Sequence, residues 1–142
     1  MTKYLSTICL VLLSVLWGAG KSQAGCTNRE FMQAGKFIYA VNTWSDLHVA
    51  FLKFRQCDDG ELADAFEDKI VGLLIHQWQS VHELNRLAQK DPEFEAFVIK
   101  HLDEEMSPDE ASEIMKFAEK SCPINASELC AKIKTRMIAT AQ

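Results

Sequence analysis

Apolar residues recur every three or four positions along most of the chain after residue 25. Leu47, Ala50, Phe51 and Phe54 form one stripe, and Leu62, Phe66, Ile70, Leu73, Leu74 and Trp78 form a second. Phe94, Phe97, Val98, His101 and Leu102 make a third, Ala111, Ile114, Met115 and Ala118 a fourth, and Leu129, Ile133 and Met137 a fifth. That period turns one face of a helix inward and leaves the other wet. Sustained alternation is absent, and only Gly25, Gly35, Gly60 and Gly72 follow the first two dozen residues, which is sparse for a β protein. The pattern predicts an all-α fold, a compact bundle of six or seven short helices. They fall near 28–41, 44–56, 59–79, 81–90, 92–104, 108–121 and 126–139, with the third and fourth able to form one long helix bent at Ser80.

Helix-start chemistry agrees with the stripes. Thr27 with Glu30, Asp58 with Glu61, Ser80 with Glu83, Ser107 with Glu110 and Asn125 with Glu128 each place a capping side chain three residues before an acid. The first group can accept from an orphan N–H while the acid reaches back or meets the helix dipole. Thr43 with Asp46 is a weaker start of the same kind. Asp91-Pro92 and Ser107-Pro108 set proline at the first helical position, where its missing N–H costs nothing.

The first 24 residues follow a different pattern. Lys3 precedes a short apolar stretch from Ile8 to Trp17, and Ser22-Gln23-Ala24 sets small residues where a signal peptidase reads. This predicts a removable secretory leader over 1–24 and a single helical domain over 25–142, with no membrane anchor. Lipidation at Gly25-Cys26 is the rival, but Gln23 stands where an aliphatic residue is usual. Free export to the periplasm or medium is the expectation.

Export changes the meaning of the cysteines. Cleavage removes Cys9 and leaves Cys26, Cys57, Cys122 and Cys130, an even number that reads as two disulfides. Three connectivities are open. Cys26 precedes the first helix and Cys57 follows the second, so an antiparallel hairpin would join them. Cys122 and Cys130 flank the turn Pro123 to Ala126. The geometric preference is therefore Cys26–Cys57 and Cys122–Cys130.

Charge narrows the partners. Cleavage takes Lys3 and Lys21 from the 15 Lys+Arg and nothing from the 20 Asp+Glu, deepening the net charge from −5 to −7. Such a surface repels nucleic acid and anionic membranes and suits a basic partner. The densest acidic cluster is Asp58-Asp59-Gly60-Glu61 followed by Asp64, Glu67 and Asp68. It lacks the alternating ligands of a calcium loop, and its acids serve a helix N-terminus and wet face. Asp58, Asp59, Asp64, Glu67 and Asp68 are the candidate partner-binding residues.

Catalytic and cofactor patterns are missing. His48, His76, His82 and His101 show no i, i+4 pairing and no His-Glu-x-x-His, so no metal is expected. His101 reads as a core histidine with one backbone bond, four residues from Glu105 on its helix. Gly-x-Ser-x-Gly and Cys-x-x-Cys are absent, no acid is marked as buried, and no cofactor is implied. Asn125-Ala126-Ser127 matches a glycosylation sequon, though Asn125 equally caps the last helix.

The leader Lys3 to Ala24, four cysteines at helix ends and an acidic mature surface make the chain resemble, as a class, small exported all-helical proteins with two disulfides. These include periplasmic immunity proteins that neutralise cell-wall hydrolases delivered by type VI secretion. The likeness is one of class, and no functional residue carries over with it. It implies an exported, non-enzymatic module that binds another, basic exported protein. The alternative is a carrier of a small apolar ligand in a helix-lined cavity, built from aromatics such as Phe51, Phe66 and Phe97.

Overall fold

The computed structural model describes residues 25–103 and 105–140. The leader expected over 1–24 lies outside the described residues. Seven α-helices fill the described chain: α1 (Asn28–Tyr39), α2 (Trp44–Phe54), α3 (Glu61–His76), α4 (Val81–Lys90), α5 (Pro92–Lys100), α6 (Pro108–Lys120) and α7 (Ser127–Thr140). Short 3-10 turns at Arg55–Cys57, Trp78–Ser80 and Ile124–Ala126 join some of them. Among the described residues there is no strand, and no helix is long and apolar enough to cross a membrane.

The stripes become the core. Trp44, Phe66, Phe94, Leu47, Ile70, Leu74, Leu84, Leu102, Ile114, Leu129 and Ile133 are almost wholly buried in one continuous cluster. Helix α3 packs against α1 and α6, α2 against α1 and α4, and α7 against α6 and α5. Rings occupy much of the interior. Phe51 meets Phe94 and Phe97 at 5.5 and 4.9 Å, Phe66 meets Phe97 edge-on at 5.0 Å, and Trp78 stacks on Phe117 at 5.5 Å. These are favourable offset and edge geometries.

Both expected disulfides are present, Cys26–Cys57 with Cα atoms 4.7 Å apart and Cys122–Cys130 at 6.2 Å. The first ties the start of α1 to the end of α2. The second closes the turn between α6 and α7. Crosslinks of this kind restrict the unfolded chain and contribute about 2–4 kcal/mol each.

The caps divide into two groups. Complete capping boxes form at Thr27–Glu30, Thr43–Asp46 and Ser107–Glu110, and Asp91 accepts from the Phe94 N–H. Thr43 is therefore as full a start as the others. Asp58, Ser80 and Asn125 do not perform the expected role: tertiary partners claim the first two side chains, and the third residue lies inside a turn. Gly60 is the N-cap of α3 with φ +51°, a backbone that suits glycine. Ser80 Oγ donates to Gln77 O and accepts from Trp44 Nε1. Asn125 lies inside a 3-10 turn, and its carbonyl accepts from Asn85 Nδ2.

Helices α3 and α4 are separate. The break at Gln77 lets Trp78 turn inward and donate from Nε1 to Ser121 O at 2.8 Å. Helix α5 ends at Lys100, short of the expected 104, where Arg136 of α7 takes the carbonyls of Leu102 and Lys100.

Candidate functional site

The acidic segment after Cys57 does not act as one surface. Its first residue turns inward. The Cys26–Cys57 bond fixes the chain just before Asp58, whose side chain is only 9 % exposed. Asp58 Oδ1 accepts from His101 Nε2 at 2.8 Å, and Oδ2 accepts from Lys100 Nζ at 2.6 Å. His101 is itself buried, and its Nδ1 lies 2.9 Å from Phe97 O. Each ring nitrogen thus faces an oxygen acceptor. Burial works to raise the Asp58 pKa, but the hydrogen bonds from His101 and Lys100 outweigh it and hold the carboxyl below its ordinary value. Asp58 is a structural clamp between the second helix's end and α5. His101 pairs with it rather than with Glu105, since α5 stops one residue before His101.

The remaining acids of the segment point outward from α3. Asp59, Asp64 and Asp68 are exposed and Glu67 is half-buried. Leu62, Phe66 and Ile70 on the opposite side of the helix are buried, which aims the 64/67/68 row away from the core. Glu67 and Asp68 of that row line a groove of about 310 Å3 between α3 and the beginning of α6, together with His76, Glu105, Met106 and Glu110.

The groove concentrates negative charge. Glu67 is pushed up to about 7, first by burial, then by the charges of Asp103 and Glu105, with Asp64 adding and His101 opposing. Glu110 is different: hydrogen bonds from Ser107 hold its pKa down. Among the described residues no ion pair neutralises Asp64, Glu67, Asp68, Asp103 or Glu105, whereas Glu95 and Glu128 share Lys132. His76 reaches the same groove, not a shared face with Glu83 across Ser80. Glu83 instead accepts from Ser45 Oγ at 2.6 Å. Among the described residues no three His, Cys, Asp or Glu side chains are grouped to hold a metal ion.

Asp103, Glu105 and Glu110 were not among the sequence-derived candidates. A signal for them existed: acids at a helix C-terminus oppose its dipole. Asp103 and Glu105 therefore argued that the fifth helix ends before them and that its following turn is acidic. Which helix that turn would face was not readable from one segment.

With the geometry in place, no protein-family model, curated protein or solved structure matches the chain.

Proposed function

We propose that this chain is an exported, non-enzymatic protein-binding module that holds a basic partner at the groove between α3 and α6, in the manner of an inhibitor or immunity factor. The observation that carries this reading is the crowding at Glu67. A carboxyl pushed up to about 7 by burial and like charges is a place where an incoming cation is rewarded. A lysine or arginine from the partner would offset the repulsion among Glu67, Asp103 and Glu105 and complete pairs the fold leaves open. The two disulfides support an oxidising compartment. A preorganised acidic groove raises association rates and suppresses acidic competitors.

The test is affinity capture with the oxidised protein from exported fractions, in parallel with a variant carrying Asp64→Asn, Glu67→Gln and Asp68→Asn. A stoichiometric basic protein should bind the unmodified chain, leave it as salt rises, and bind the variant with slower association and a flatter salt dependence. Affinity should also rise with pH from about 5 to about 8, because cation binding needs Glu67 ionised. A partner captured equally by both forms would remove this groove from the interface.

A further inference from the structure

A second recessed surface lies on the α1–α2 hairpin and owes nothing to the acidic groove. It is an open groove of about 720 Å3 with Phe37, Phe54 and Ala40 on its apolar side and Lys36, Lys53 and Glu30 as its charged residues. Phe37 and Phe54 face each other with centroids 5.7 Å apart, and Lys53 Nζ stands 4.9 Å from the Phe37 ring centre. Phe54 belongs to the buried core, and Phe37 packs against that core while remaining half-exposed.

We propose that this groove binds a single-chain anionic amphiphile, an alkyl chain bearing one carboxylate. Four observations favour that occupant. The volume lies in the range of small-ligand sites, which are largely apolar with a few placed polar groups. The two lysines line the groove from different helices, Lys36 from α1 and Lys53 from α2, and among the described residues neither is in an ion pair. Both ammonium groups are thus available to a carboxylate. The one acid of the groove, Glu30, already accepts from the Thr27 N–H and hydroxyl and from Gln56 Nε2. Its charge marks the end of the groove that a carboxylate would avoid. From Glu30 to Ala40 the helix advances about 15 Å, the length of an extended dodecyl chain.

The experiment titrates the purified, disulfide-oxidised protein with dodecanoate below its micelle-forming concentration, using calorimetry and amide NMR. Saturable one-to-one binding is expected, with shifts confined to the α1 residues from Gln33 to Ala40 and to Lys53 and Phe54. Dodecyltrimethylammonium, with a similar chain and the opposite charge, should bind at least roughly tenfold more weakly. Lys36→Glu combined with Lys53→Glu should weaken dodecanoate by a similar factor, the sum of two partly exposed ion pairs. Both positions are exposed, so the helical spectrum should be unchanged. Lys36→Gln with Lys53→Gln should give an intermediate loss. Equal binding of the two head groups, shifts centred outside the hairpin, or no saturable binding would overturn the proposal. Binding to anionic vesicles without binding monomeric dodecanoate would also overturn it, assigning the face to a membrane surface.

Discussion

Asp58 and Glu67 belong to the same acidic stretch, nine residues apart, yet the fold gives them opposite electrostatic surroundings. At the Asp58 corner, a carboxylate enters the interior together with two donors, His101 and Lys100, and its pKa falls. At the Glu67 groove, a half-buried carboxylate meets Asp103 and Glu105, and its pKa rises to about 7. Burial alone pushes both in the same direction. What separates them is the company each keeps. The first arrangement holds the molecule together, and the second leaves a charge that something outside the fold can satisfy. A cluster of acids in a sequence is therefore not one functional unit.

The largest expected effect breaks the Asp58 corner. Asp58→Ala leaves the buried His101 without its carboxylate and should destabilise the protein by about 3 kcal/mol in urea unfolding at neutral pH. Because the folded pKa of Asp58 lies below its unfolded value, its stabilisation is complete above about pH 4 and fades as pH falls through the folded value. The gap between variant and parent should accordingly narrow in acid. A constant gap would show that lost packing, not charge, holds the corner.

Glu67→Gln should act in the opposite sense and more gently. A folded pKa raised to about 7 means that the parent's stability is greatest, as far as Glu67 contributes, below its unfolded pKa and declines as pH rises towards about 7. The variant should lack that decline and be more stable by about 1 kcal/mol at pH 8, since solvent screens a half-buried group. Unfolding curves at pH 4 and pH 8 check this. A destabilised variant at pH 8 would mean that Glu67 is paired after all.

Lys100→Ala sharpens the comparison with the smallest change. Lys100 bonds to the same carboxylate as His101, but its side chain is 62 % exposed. Its loss should cost under about 1 kcal/mol. If Asp58→Ala and Lys100→Ala cost the same, the buried imidazole contributes nothing special to the clamp.

Much of the local structure was written in nearby residues. The all-α fold, both disulfide pairings and the starts at Thr27, Thr43, Asp91 and Ser107 depend on spacings of a few residues or on the ends of adjacent helices. A capping box or an apolar stripe carries its own physics, so it reads the same wherever the helix ends up. Asp58, Ser80 and Asn125 carried the same local pattern and failed as caps. The Asp58 and Ser80 side chains had distant competitors, His101 and Trp44, while Asn125 is drawn into the 3-10 turn before the last helix. A side chain with two possible partners goes to the one that burial strengthens, and that choice is made across the fold.

The sequence by itself determined where helices form and a net charge of −5, and it set a geometric preference among three open disulfide connectivities. These follow from short-range periodicity, chain geometry and composition. Only the tertiary structure decided that Asp58 is internal, that Glu67 shares a groove with Glu105, and that it lies within reach of the Asp103 charge. It also decided that Lys36 and Lys53 line one groove with Phe37 and Phe54. Charges interact through space over several ångströms, while the chain separates these partners by 17 to 43 residues. No local rule spans that gap, and the helix packing that closes it is set by the core.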